Sequence, residues 1–250
     1  MSRNRLKKAL KIVLPLAFWL VVWQLLATLV GLELLLPTPF SVAKSLAVLA
    51  GTEEFWLSAL FTLLRIFGGL LGGTLFGGML AFLTHFYRWA DLLFSPAIRV
   101  LRATPVVSFI LLVYLWVTRS NIPGLIAGLM VLPVVWGSLS TGLNSIDIQL
   151  LELSSAYRFS HWKTLRLIYL PSLRSHFVSG FLNAFGLAWK SGVAAEVICP
   201  PKYAIGTQLK QARDALEAPE LFAWTLVIIA LSLILEAVLR HFLKERSVKQ

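Results

Sequence analysis

The chain has 250 residues, of which 58% are hydrophobic and only 14% are charged, and its mean hydropathy is +0.78. Soluble domains carry about a quarter charged residues, so this composition excludes a single water-soluble core and predicts an all-α polytopic membrane protein. The formal net charge of +11 does not indicate nucleic acid as a partner, because the basic residues lie in short segments between apolar runs.

Six apolar segments are predicted to cross the membrane as helices. They are roughly residues 12–30, 56–84, 94–117, 122–143, 172–195 and 221–241. The first resembles a signal peptide, but no small-residue cleavage site follows it, so we expect it to be retained as a span. The third is expected to begin as an interfacial segment at Arg99 and Arg102 and to insert fully only after Pro105.

The lysines and arginines predict the orientation of these spans. With the N-terminus inside, sixteen of them lie in cytoplasmic segments and five in outside segments. Because basic residues accumulate on the cytoplasmic side, both termini are predicted to be cytoplasmic. The chain then divides into a basic N-terminus (1–11), a transmembrane domain (12–241) that contains a cytoplasmic loop (144–171), and a basic C-terminal tail (242–250).

The second span is rich in glycine, with the stretch FGGLLGGTLFGG at 67–78. Small residues four apart let helix backbones approach closely in a membrane, so these glycines predict helix packing. No Gly-Lys-Ser/Thr follows them, which excludes a phosphate-binding loop. The sequence has one cysteine, Cys199, and four scattered histidines, which exclude an intrachain disulfide framework and do not indicate a metal site.

The loop at 144–171 interrupts the apolar pattern with polar, basic and aromatic residues. Asn144 and Ser145 are good N-cap residues before a helical pattern that Asp147 opens, Ser160 can cap a second helix, and Pro171 marks the start of the fifth span. These patterns predict a short amphipathic helix at the membrane surface. The residues alone leave two interpretations open: an interfacial helix attracted to anionic lipid, or a docking element for a partner.

The same loop resembles the signature loop of binding-protein-dependent ABC importer permeases. That signature is Glu-Ala-Ala, three residues, Gly, nine residues, and Ile-x-Leu-Pro. Glu152 holds the Glu position, with Leu153 and Ser154 at the two Ala positions, and the final block is filled by Ile168, Leu170 and Pro171. Arg158 stands at the Gly position, which implies a continuous or differently bent helix, or a new contact to the partner's surface.

Three further segments are similar to the nitrate, sulfonate and taurine branch of that family: LPTPFSV at 36–42, LRATPVVSFILL at 101–112 and GLAWKSGVAAEVI at 186–198. With the loop, the resemblance covers roughly residues 12–241. It implies a type I ABC importer permease fold with six transmembrane helices and a cytoplasmic coupling helix between the fourth and fifth.

The resemblance also implies partners and a mechanism. The chain would form a homodimer in the bacterial inner membrane, with two cytoplasmic ABC ATPases that hold ATP and Mg, and with an external solute-binding protein. The ATPases would pull the coupling helices and so alternate the pore between two states, importing a small anionic or polar organic solute. The residues expected to contact the ATPase are Leu150, Leu151, Glu152, Leu153, Ser154, Ala156, Tyr157, Arg158 and Phe159. No catalytic residue, metal site or cofactor is expected in this chain.

Two cations lie inside the predicted spans, Arg65 and Lys190. Charged groups within a membrane are costly, so they are candidates for lining a pathway for an anionic solute. Alternatively, they reach an interface or pair with a carboxylate. Glu196, six residues after Lys190 and itself a candidate pathway residue, is an available partner, and a pairing between subunits is equally possible.

Two other functions compete with that of an importer permease. A stand-alone secondary transporter or channel would carry internal repeats or paired broken helices, and the two halves show no convincing repeat. An intramembrane enzyme would need paired carboxylates, a Ser/His pair or metal ligands at matched depth, and the predicted spans offer none at useful spacing.

Overall fold

The computed structural model describes residues 2–245, with side chains described for 13–243, and within that range the chain forms helices and no β-strand. The helices are α1 (Ser2–Val30), α2 (Pro39–Ala50), α3 (Glu53–Phe86), α4 (Arg88–Ala103), α5 (Val106–Tyr114), α6 (Ile122–Asn144), α7 (Ile148–Ala156), α8 (His161–Thr164), α9 (Leu170–Ile198), α10 (Ile205–Asp214) and α11 (Ala218–Glu245). A π-helical turn at Leu165–Tyr169 joins α8 to α9. Met1 of the predicted N-terminal segment and residues 246–250 of the predicted tail lie outside the described residues.

Four of the described helices are long and apolar enough to cross a membrane, namely α1, α3, α6 and α11. A fifth crossing is counted if α4 and α5, which are bent by 103° relative to each other, form one span. The 29 residues of α9 would reach across a bilayer at 1.5 Å per residue, but α9 contains no 18-residue stretch as apolar as those of the four helices. Length and composition thus support four or five spans, compared with the six predicted.

The third predicted span, 94–117, is not one continuous helix. It is broken between α4 and α5, and the nine residues of α5 extend only about 14 Å, less than half the roughly 30 Å of a bilayer core. The break lies at Pro105, the residue after which the sequence predicts that this segment inserts fully. Thr104, which precedes the proline, is extended (φ −79°, ψ 131°), because the proline ring excludes the helical conformation from the residue before it.

The core of the bundle is formed by α3, α6 and α9. Helices α3 and α6 run parallel, because contacts between them advance in the same direction: Gly69 with Gly124, Gly73 with Gly128, and Gly77 with Leu132. Helix α9 is antiparallel to both, with Gly180 against Ser138 of α6 and Gly192 against Ile66 of α3. Large buried side chains fill the space between them, among them Leu70, Phe185 and Trp189.

The two ends of the bundle are distinct. At one end, here called the loop end, His85 Nδ1 lies 3.3 Å from Asn144 Oδ1, and the ring of Phe86 is 5.6 Å from that of Tyr169. At the opposite end, Phe55 near the start of α3 stacks on Trp224 of α11 at 5.1 Å. Residues 145–169 therefore form a loop at the end where α3 and α6 terminate.

Candidate functional site

The loop end carries α7, whose start and finish are both set by local hydrogen bonds. The Asp147 carboxylate accepts from the backbone N–H of Gln149 at 2.9 Å, which caps the first turn of the helix. At the other end the N–H of Phe159 donates to the carbonyl of Ser154 at 2.8 Å. This bond across six residues is the Schellman closure typical of helix C-termini, so α7 is a separate, well-terminated helix.

Arg158 has a left-handed backbone, with φ of +50°. The interpretation of Arg158 as part of a continuous helix is wrong, because α7 ends at Ala156. The chain keeps the turn that glycine would allow at this position. A left-handed conformation costs a side-chain-bearing residue roughly 1–2 kcal/mol. The Arg158 side chain is exposed and makes no hydrogen bond or ion pair with the described side chains.

The segment after this turn runs into α9 without a break. Ser160 caps α8 as predicted, since its hydroxyl accepts from the N–H of Lys163 at 3.3 Å. Pro171 does not interrupt the helix: it lies at the second position of α9, directly after the π-helical turn at Leu165–Tyr169. The wider π turn relieves the conflict between the proline ring and the preceding turn of backbone.

The predicted contact residues of α7 divide into two sets. Those exposed to solvent are Leu150, Glu152, Leu153, Ala156, Tyr157 and Arg158. Leu151 packs against the core of the bundle, and Ser154 is buried and donates to the carbonyl of Leu151 at 2.8 Å. Phe159 is half-buried beneath the ammonium of Lys163 at 4.1 Å. The packing of Leu151, Ser154 and Phe159 therefore helps to hold the loop in place.

The final block of the signature divides in the same way: Ile168 is buried in the core, whereas Leu170 and Pro171 are exposed. Sequence reasoning missed one residue of the exposed set. Ile148 is 69% exposed, comparable with Tyr157 at 70% and more than Leu153 at 52%. Its position one turn before Glu152, on the same face of the helix, was the available signal. These three exposed apolar residues, Ile148, Leu153 and Tyr157, are here called the docking side chains.

At the opposite end, Arg65 and Glu196 form part of a hydrogen-bonded network. The Arg65 guanidinium donates to the carbonyls of Tyr203 at 2.8 Å and Lys202 at 2.9 Å, and lies 3.7 Å from Glu196 Oε1. Glu196 Oε2 accepts from the Thr62 hydroxyl at 2.9 Å. Because the Arg65 side chain is only 13% exposed and Glu196 is fully buried, this network fastens the chain after α9 to α3.

The alternative that Lys190 pairs with Glu196 is therefore wrong. Six residues of α-helix correspond to about 240° of rotation around the axis, which places the two side chains on different faces of α9. Glu196 instead faces α3 and meets Arg65. Lys190 is exposed and makes no ion pair with the described side chains.

Lys190 belongs to a polar stripe along α9, here called the α9 polar face. Its members are Ser172, Ser175, Ser179, Asn183 and Lys190, spaced three, four or seven residues apart, so that they share one side of the helix. All are exposed except Ser172, which is half-buried. Polar groups facing hydrocarbon are unfavourable, so this face is suited to water or to another protein surface rather than to lipid tails.

Comparison with known proteins gives consistent results. Residues 73–248 match the family described as binding-protein-dependent transport system inner membrane component. A probable ABC transporter permease protein of Haemophilus influenzae is 27% identical over 231 residues, which cover 91% of this chain and 93% of the relative. The taurine transport system permease protein of Escherichia coli is 26% identical over 233 residues, 90% of this chain and 84% of that protein. A putative aliphatic sulfonates transport permease protein of Bacillus subtilis is 22% identical over 223 residues, with coverage of 88% and 80%.

Proposed function

Because the chain belongs to the family of inner membrane components of binding-protein-dependent transport systems, we propose that its helices form the route by which a small anionic or polar organic solute enters the cytoplasm. Permeases of ABC importers have no ATPase activity of their own, and a separate subunit hydrolyses ATP. In this proposal two such subunits hold ATP and Mg, an external binding protein delivers the solute, and the permease alternates between inward- and outward-facing states.

The topology we propose has six crossings of the inner membrane and both termini in the cytoplasm. The parallel arrangement of α3 and α6 supports a membrane crossing by the residues that connect them. Helix α3 ends at the loop end while α6 begins at the opposite end, so residues 87–121 must return along the length of the bundle. In this scheme the bent pair α4–α5 makes that return and α9 is the fifth span.

We propose that α7 is the coupling helix and that its docking side chains contact the ATPase. The supporting observation is that these three apolar side chains of the short α7 segment are exposed, while Leu151 of the same helix is packed against the bundle core. Burying one large apolar side chain contributes about 1.5–3 kcal/mol, so three of them give several kcal/mol of binding. A pull on α7 would pass through Leu151 and Ile168 to the core helices.

The change Leu153→Asp tests this docking. We expect ATP hydrolysis stimulated by the solute-loaded binding protein to fall at least about tenfold in reconstituted complexes, because a carboxylate cannot be buried in an apolar contact without a partner. The variant is expected to keep the thermal stability of the parent in detergent, since Leu153 is exposed in the free subunit. Leu153→Met is the matched control and should retain stimulation. Full stimulation of Leu153→Asp, or uptake that persists without any ATPase subunit, would contradict the proposal.

The α9 polar face is the part of the chain that we propose lines the solute pathway, facing the same surface of a second permease subunit in a homodimer. The names of two relatives, a taurine and an aliphatic sulfonates permease, suggest an anionic group in the solute, which the cation of Lys190 would attract.

For Lys190→Ala we expect uptake into proteoliposomes to fall about tenfold, since an exposed cation that attracts the solute is lost, while thermal stability stays unchanged. The solute is the one bound by the system's own binding protein. Lys190→Arg should retain most uptake, and Leu187→Ala, a change at an exposed residue beside this face, should have little effect. Normal uptake by Lys190→Ala would exclude Lys190 from the pathway.

A further inference from the structure

Three described residues other than glycine have positive φ: Arg158 (50°), Tyr203 (50°) and Leu216 (60°). At Gly31, where φ is 65°, the chain uses glycine, the residue that adopts this conformation without steric cost. A side chain at such a position is unfavourable relative to glycine. At Arg158 and Leu216 the conformation is held by backbone hydrogen bonds that close a helix C-terminus, from Phe159 N–H to the Ser154 carbonyl and from Glu217 N–H to the Ala212 carbonyl.

At Tyr203 the side chain and the carbonyl make further contacts within the chain. Its ring stacks on Phe61 at 6.0 Å, and its carbonyl accepts from Arg65 at 2.8 Å. Arg158 has no equivalent contact: its side chain is exposed and makes no hydrogen bond, ion pair or ring contact with the described side chains. The nearby cation Lys163 differs, since it lies 4.1 Å above the ring of Phe159.

Arg158 also belongs to a positively charged surface. The loop at 145–169 exposes two acids, Asp147 and Glu152, and three bases that all lie after them, Arg158, Lys163 and Arg166. A partner that covers this surface is favoured if it is acidic. Arginine in particular presents a planar fork of donors that matches a carboxylate with two parallel hydrogen bonds.

We propose that Arg158 pairs with a carboxylate on the surface of the ATPase subunit and thereby selects an ATPase that carries one. This inference rests on the proposed docking of α7. The position of Arg158, directly after the helix whose docking side chains are exposed, places its charge at the edge of that contact. Anionic lipid is a less suitable partner, because headgroups attract any basic side chain of the loop, whereas a carboxylate fixed on a protein surface can pair with the planar fork of one arginine.

The test uses the full-length permease in detergent and the ATPase subunit of the same transport system, purified separately. Arg158→Gly removes the charge and relieves the backbone, and Arg158→Gln removes the charge while keeping the left-handed residue. We expect both to bind the ATPase about tenfold more weakly at low salt and with less dependence on salt than the parent. Arg158→Gly should unfold at a temperature equal to or above that of the parent.

The outcomes separate this inference from the docking on which it rests. If Leu153→Asp loses the ATPase while both Arg158 variants bind as tightly as the parent, the ion pair is refuted and the docking stands. If none of the three changes weakens binding, the docking itself is refuted. The binding is then repeated in nanodiscs of zwitterionic and of anionic lipid. A loss confined to the anionic discs would assign Arg158 to lipid headgroups and overturn the proposal.

Discussion

Replacing Arg65 by alanine is expected to destabilise the folded permease by about 3–5 kcal/mol, the cost of removing one partner from a buried ion pair. The change leaves Glu196 fully buried, with Oε1 lacking any hydrogen bond, and removes the donors to the carbonyls of Tyr203 and Lys202. Thermal unfolding of the purified protein in detergent measures the loss.

Lys190→Ala is the matched control, because it also removes one positive charge. Lys190 is exposed and makes no ion pair with the described side chains. It should unfold at the temperature of the parent protein. The double change Arg65→Leu with Glu196→Leu should recover part of the stability, since no buried charge is left unpaired, while the hydrogen bonds to Tyr203, Lys202, Thr62 and Gly206 stay lost. Parental stability of Arg65→Ala would show that the network does not fasten the chain after α9.

A second large effect is expected for Gly69→Ala in the contact between α3 and α6. A Cβ atom at Gly69 would lie 2.0 Å from the carbonyl oxygen of Gly124, so the two backbones would have to separate. Overpacking of this kind costs about 1–3 kcal/mol, and we expect the upper part of that range because the obstructing atom is backbone and cannot rotate away. The fall in unfolding temperature in detergent measures it.

Gly72→Ala, three residues further along the same helix, is the control for this prediction. No atom lies within 4 Å of the position that its Cβ would occupy, and alanine favours helix over glycine by up to about 1 kcal/mol. Stability should therefore stay the same or rise. Equal unfolding temperatures for the two variants would mean that the close approach of the helices does not contribute to the fold.

The long central helices were predictable because their signals are local. The glycine-rich run predicted a span over 56–84 and the structure has Glu53–Phe86, and the span predicted over 122–143 corresponds to Ile122–Asn144. The third span failed as a single helix because its direction changes by 103° at one proline. The sequence shows where the proline lies but does not give the angle between the helices on its two sides.

The sequence offers Glu196 as a partner for Arg65 or Lys190 but does not choose between them, because the choice depends on packing between distant parts of the chain. Only the antiparallel contact of α9 with α3 brings Glu196 to Thr62 and Arg65. The α9 polar face was similarly hidden: its serines and asparagine are visible in the sequence, but which side of α9 stays unpacked is a property of the bundle. The conformation of Arg158 was also undetermined, since the sequence shows an unusual residue and not its backbone angles.

The glycine contacts between α3 and α6 have a mechanical consequence. The backbones of α3 and α6 are in contact at three successive turns. The two helices therefore cannot slide past each other without steric collision, and we expect them to move as one rigid strut. The 34 residues of α3 make that strut about 50 Å long. A tilt of about 10° imposed at one end would therefore displace the other by roughly 9 Å over that length, which converts a small rotation into a displacement of the size of a small solute.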